Sequence, residues 1–386
     1  MKKIAIVGTA GIPARYGGFE TLAHHLAIEL QDECELSVYC STKFYEKSER
    51  KKYWNKARLF HLPLNANGIQ SIPYDIISIF HALFYADVIV VLGVSGAIVL
   101  PLVKLFSRKK IIVNIDGLEW KRGKWSKPIK KFLKWSEKIA VRFSDADITD
   151  NLAIKEYTAK EYGTVSHLIE YGADHTIKKQ ISKNLLKEYP FLKYPYAFKV
   201  CRIEPENNIH IVLEAFAHSS KKNLVIVGNW NASEYGIQLK KKFETHPRIQ
   251  LLDPIYNQEK LDMIRSNCHI YIHGHSAGGT NPSLVEAMYL GLPIMAFDVT
   301  YNRCTTENKA LFFKNTEELN TLLNETKYSS LIELKDNLKE IADRRYTWSV
   351  IANKYLKLIN AFDYKYSKSS VSTQKVENSF EAMNSQ

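Results

Sequence analysis

The sequence predicts an α/β fold made of two doubly wound, Rossmann-like parallel-sheet domains. Three observations carry this expectation. Short runs rich in Val and Ile alternate with amphipathic stretches. The runs are continuously apolar, as strands covered on both faces must be. The pattern also occurs twice, once in each half of 386 residues, a length that favours two domains over one.

The expected strands of the first half are Lys3–Val7, Glu35–Tyr39, Val88–Leu92, Lys110–Asn114 and Ala146–Thr149. Those of the second half are Tyr196–Val200, Asn223–Val227, Ile249–Leu252, His269–His273 and Ile294–Phe297. Ile4 to Val7 is too short and too soon ended by Gly8 for a signal peptide or a spanning helix. Ala86 to Leu105 is apolar enough to suggest a span, but Asp87, Gly93, Gly96, Pro101 and Lys104 interrupt it. A buried strand, a glycine turn and a helix are expected there instead. The expected limits are 1–175 for the first domain and 176–345 for the second. A closing helix is expected within 346–366, and a disordered tail at 367–386, where Ser, Lys, Asn and Gln dominate.

Composition narrows the function. Hydrophobic residues make up 45% and charged residues 24%, which excludes a disordered or fibrous chain. A net charge of +12 favours an anionic partner without choosing among nucleic acid, lipid and phosphorylated substrate. The five cysteines are widely spaced, so neither a disulfide framework nor a zinc site is expected.

Several segments carry candidate chemistry. Gly17 and Gly18 precede a helical run and could let backbone amides approach an anion, with Glu20 just inside. Asn114 to Arg122 follows a buried strand and gathers Asp116, Glu119, Lys121 and Arg122. That cluster could orient a hydroxyl and a phosphate, or form a surface ion-pair loop. From Lys121 to Lys138, lysines interleave with Trp120, Trp125, Phe132 and Trp135. This stretch reads as a contact for an anionic membrane surface or as a solvated helix face; no nucleic-acid motif accompanies it.

In the second half, Arg202 follows a strand and could clamp a diphosphate. Tyr256 follows another strand, where a flat base could rest. Gly278 to Glu286 supplies a Gly-rich turn and a helix start with Pro282 in its first turn. The amides of Gly279, Thr280 and Asn281, with the helix dipole, would seat a phosphate. Glu286 could accept ribose hydroxyls.

These residues resemble the family 4 glycosyltransferases of GT-B fold. Val285-Glu286-Ala287-Met288 with Gly291 and Pro293 is the most specific part. The opening from Ile6 to Glu20, the segment Asn114–Arg122 and the segment His273–Ser283 are similar to a bacterial rhamnosyltransferase subgroup of cell-wall and capsule assembly. Members of that subgroup have an N-terminal domain of the DUF1972 type. Three positions depart from the wider family: Gly278 stands where most members have Glu, Asn207 and Asn208 where many have Lys, and Asp116 near a common His.

The resemblance implies two domains facing across a cleft, with the closing helix packed back on the first. It implies an acceptor-binding N-terminal domain and a C-terminal domain that binds the nucleotide-sugar. The implied reaction is transfer of L-rhamnose from dTDP-β-L-rhamnose, with retention. The implied acceptor is a sugar on a lipid diphosphate of the undecaprenyl type, at the cytoplasmic face of the plasma membrane. No metal or other cofactor is expected. Arg202 and Gly279–Asn281 would hold the diphosphate, Glu286 the ribose and Tyr256 the base. His273 would touch the donor sugar, and Gly17 and Gly18 would shape the donor cleft. Asp116 would position or deprotonate the acceptor hydroxyl, with Glu20, Glu119, Lys121 and Arg122 around it. Other donors such as a UDP-hexose or UDP-GlcNAc, a nucleotide-sugar hydrolase or epimerase, and a non-catalytic binding protein are the alternatives.

Overall fold

A computed structural model describes residues 1–364 and 368, apart from 16, 116, 124 and 219–221. The expected disordered tail lies outside the described residues, save Lys368. The chain divides into two compact units. The first comprises Met1–Glu170 together with the chain from Trp348 onward, and the second is Tyr171–Thr347.

The first unit is built on an eight-stranded sheet among the described residues. Its strands are β1 (Lys2–Val7), β2 (Cys34–Ser41), β3 (Tyr53–Trp54), β4 (Ala57–Leu62), β5 (Val88–Leu92), β6 (Lys110–Asn114), β7 (Ala146–Thr149) and β8 (His167–Leu168). The order is β3-β4-β2-β1-β5-β6-β7-β8. Every pairing is parallel except the β3–β4 hairpin. β5 is buried along its whole length, which explains its uninterrupted apolar sequence. The apolar stretch from Ala86 holds β5, a glycine turn and the short helix Leu100–Phe106, as its sequence predicts. Among the described residues no helix is long and apolar enough to cross a membrane.

The closing helix, Trp348–Ala361, packs on the first unit, as the fold expectation required. Trp348 stacks on His25 with ring centroids 4.3 Å apart, and the Asn114 amide donates to the Tyr355 hydroxyl at 3.1 Å.

Among the described residues the second unit holds a six-stranded, fully parallel sheet. Its strands are β9 (Tyr196–Val200), β10 (Asn223–Val227), β11 (Ile249–Leu252), β12 (Ile270–His273), β13 (Ile294–Phe297) and β14 (Leu311–Phe313), in the order β11-β10-β9-β12-β13-β14. From β9 the chain builds outward through β10 and β11, then returns to β9's other edge at β12. The carboxyl ends of β9 and β12 therefore flank a topological switch point, where open α/β sheets place their ligands.

Candidate functional site

The loops leaving β9 and β12 hold the residues expected at the donor's diphosphate: Arg202, Gly279, Thr280 and Asn281. After β12 the chain passes through Gly274–Asn281 and enters the helix Pro282–Tyr289. Asn281 is the N-cap: its side-chain oxygen accepts from the Ser283 amide at 3.1 Å and from the Ser283 hydroxyl at 2.8 Å. Pro282 occupies the first turn, where its missing N–H has no consequence. Gly278 has φ +123°, a conformation side chains rarely adopt, and a Cβ there would meet nothing within 4 Å. The Gly279 and Asn281 amides make no hydrogen bond among the described residues. Thr280 is buried. A helix start with unspent amides is a fitting seat for a phosphate.

The loop after β9 presents Arg202. Its side chain is 51% exposed and lies 3.9 Å from Glu204, close enough for attraction yet open to a ligand. Asn207 closes this loop by donating its side-chain amide to the Arg202 carbonyl at 2.7 Å. Tyr256 follows the edge strand β11 and is exposed. His273, expected against the donor sugar, is instead wholly buried at the end of β12. Its ring stacks on His275 at 4.4 Å, and burial, with Lys199 beside it, holds its pKa well below 6.5.

Glu286 is built more elaborately than the sequence suggests. Its carboxylate accepts from Arg265 Nη1, and His175 Nε2 lies 3.2 Å from its other oxygen. Arg265 is fully buried and also donates to Asp262 Oδ1 at 2.7 Å. Burial alone would raise the Glu286 pKa. The Arg265 charge, reinforced by the His175 and Arg265 hydrogen bonds, outweighs it and brings the value down to about 2. Arg265 and His175 are partners that sequence reasoning missed. A lone Arg ending an eight-residue helix carries no motif.

The first unit holds the remaining candidates. Gly17, with φ +120°, is the N-cap of the helix Gly18–Glu29. A Cβ on Gly17 would lie 1.9 Å from Glu20 Oε2. Glu20 accepts from the Ala10 amide at 2.7 Å and the Thr9 hydroxyl at 3.2 Å, so it braces the loop after β1. Asp116 lies outside the described residues. Beyond it, Glu119 pairs with Arg122 at 2.8 Å and accepts from Trp125 Nε1 at 2.9 Å. Lys121 lies over the Trp120 and Tyr157 rings at 5.4 and 5.8 Å. These residues are thus brought together, largely as partners of one another.

The basic stretch continues as the helix Lys127–Phe143. Lys127, Lys131, Trp135 and Lys138 are exposed on it, while Leu133, Ser136, Glu137, Ala140 and Val141 are buried. The helix Leu100–Phe106 packs beside it and exposes Leu105 and Phe106 almost fully.

Comparison with known proteins agrees with this architecture. Residues 1–174 match the domain of unknown function DUF1972, and residues 181–345 match the glycosyl transferases group 1 model. No curated relative matches the chain. Among solved structures, sucrose-phosphate synthase from Thermosynechococcus elongatus is similar at 14% identity and a TM-score of 0.76, with 95% of this chain and 100% of that chain covered. Anabaena HepE in complex with UDP-glucose is similar at 14% identity and a TM-score of 0.71, covering 94% and 100%. The catalytic domain of Arabidopsis thaliana starch synthase IV, bound to ADP and acarbose, is similar at 14% identity and a TM-score of 0.66, covering 93% and 99%. At these identities the structures speak for the fold, and the group 1 domain speaks for the activity. The chain is a glycosyltransferase of GT-B fold, with a DUF1972 domain followed by a glycosyl transferases group 1 domain.

Proposed function

We propose that this enzyme transfers L-rhamnose from dTDP-β-L-rhamnose, with retention, to a sugar on a lipid diphosphate at the inner face of the plasma membrane. The observation that carries the reading is the helix start at Pro282, with the Gly279 and Asn281 amides unspent among the described residues and Glu286 held ionised behind them. The departing diphosphate would be neutralised by Arg202 and these amides, with no step that needs a metal. Glu286 would accept a hydroxyl of the nucleoside sugar, and Tyr256 would meet the base. Gly278 offers open space and no charge to the transferred sugar, which suits a deoxysugar. Asp116 would orient the acceptor hydroxyl, and the departing phosphate would take its proton. Gly17, Gly18, Glu20, Glu119, Lys121 and Arg122 would shape and charge the surroundings of the substrates.

The exposed Lys127, Lys131 and Lys138, with Trp135, Leu105 and Phe106, support attachment to an anionic membrane surface. A second donor reading, a UDP-hexose, is favoured by the likeness to HepE, whose structure was solved with UDP-glucose.

Product analysis tests the proposal. The full chain is supplied with dTDP-β-L-rhamnose or UDP-glucose, with and without a lipid diphosphate-linked sugar. Rhamnosylated lipid, formed only with both substrates present, is the expected result. Free rhamnose released at the same rate without acceptor would indicate a hydrolase instead.

A further inference from the structure

Lys199 lies within β9, in a strand otherwise composed of Tyr196, Ala197, Phe198 and Val200. It is fully buried, and its Nζ has no hydrogen-bond partner among the described residues. A Cβ on Gly274 would stand 2.9 Å from that Nζ and 2.4 Å from the Asn207 carbonyl oxygen. The amine therefore sits between the loop after β9 and the first residue of the loop after β12. These are the two loops that flank the switch point and carry the donor seat.

The surroundings do not neutralise it. His273 is equally buried, and neither of its ring nitrogens has a hydrogen-bond partner among the described residues. Glu206 Oε1, in the loop after β9, is likewise buried without a partner among the described residues. The titratable groups that interact with Lys199 are Cys201, just after β9, and His273, at the end of β12. Burial lowers the Lys199 pKa, and Cys201 opposes that only in part. A buried polar group without a partner destabilises a fold, and an unpaired charge does so more. Such a group beneath a ligand seat fits a site whose partner arrives with the ligand.

We propose that Lys199 is the buried counter-charge for the donor's diphosphate, taking up a proton from solvent when the anion settles on the Gly274–Asn281 loop. The inference rests on the donor seat described above. Lys199 is a positioning residue here: it acts across Gly274 through a low-dielectric interior, where a charge is felt strongly. The step adds one proton to a neutral amine and changes no covalent bond between heavy atoms.

Calorimetry on the full chain tests this. UDP, dTDP and their nucleosides are titrated at about pH 8, where the ligand phosphates are already ionised. Two buffers of different ionisation enthalpy report the protons exchanged. Wild type should take up a proton with the diphosphates and none with the nucleosides. Lys199→Met should lose that uptake and bind the diphosphates about tenfold or more weakly, with melting temperature unchanged or raised. Lys199→Gln serves as the second variant, and the wild-type two-buffer comparison needs no variant at all. Diphosphate binding without proton uptake, or uptake and affinity preserved in Lys199→Met, overturns the assignment and leaves the donor seat standing. Absence of any nucleoside diphosphate binding by wild type overturns both.

Discussion

Arg265 and Glu286 form a buried ion pair in the second unit, with Asp262 on the far side of the guanidinium and His175 on the far side of the carboxylate. The arrangement fixes the carboxylate that the donor's nucleoside sugar is expected to meet. Removing one partner of such a pair leaves an uncompensated buried charge. Arg265→Met should therefore lower unfolding free energy by about 3–5 kcal/mol, read from urea denaturation. Arg265→Met combined with Glu286→Gln should cost less than the sum of the two single changes.

The same pair gives the fold an acid limit. The Glu286 pKa falls from 4.5 to about 2 on folding, so its stabilisation is present above about 4.5 and is lost as pH falls toward 2. The full effect is roughly 3 kcal/mol at 1.36 kcal/mol per pKa unit. Stability of wild type should fall more steeply over that window than stability of Glu286→Gln.

Asp75 behaves in the opposite sense. It is buried, takes a hydrogen bond from Ser95, and burial raises its pKa from 3.8 to about 7. The folded state binds the proton more tightly, so stability declines as pH rises from about 4 through 7. Asp75→Asn should stabilise the protein by up to roughly 4 kcal/mol at pH near 8 and change little near pH 4, by denaturation at both values.

Gly17 and Glu20 set the loop after β1. Gly17→Ala places a methyl group against Glu20 in a backbone conformation that resists side chains, and should cost about 1–3 kcal/mol. Glu20→Gln keeps an oxygen for the Ala10 amide and should cost less than Gly17→Ala in the same thermal melts.

Lys131 and Lys138 test the membrane face. Each lysine near an anionic surface contributes about 1 kcal/mol, so reversing both to Glu should weaken binding to anionic vesicles by more than tenfold. Co-sedimentation with anionic and neutral vesicles reads this, and equal wild-type binding to both would remove the electrostatic part.

The sheet cores were legible because buried parallel strands write themselves as apolar runs. β5, β6, β7, β9, β10, β11 and β13 have the limits their sequences predict. β4 was missed because Arg58 and His61 interrupt it, and β3, β8 and β14 are only two or three residues long. The helix start at Pro282 was legible because a glycine turn, an N-cap and Pro282 leave a local signature. Arg265 was not, since it acts on a carboxylate 21 residues away that only the fold brings near. Lys199 left one visible sign, a cation inside an apolar run. The burial of His273 reflects its place as the last residue of an interior strand, which sequence position alone does not distinguish from a strand end open to ligand.

The most direct test of the account is thermal stabilisation of the full chain by a panel of dTDP-, UDP- and GDP-sugars. A ligand at about 100 times its dissociation constant adds roughly 2.7 kcal/mol to the folded state. The account predicts that dTDP-β-L-rhamnose raises the melting temperature of wild type by several degrees, and that Glu286→Gln reduces the gain. Stabilisation by a UDP-hexose alone would contradict the donor assignment, and no stabilisation by any nucleotide-sugar would contradict the donor seat itself.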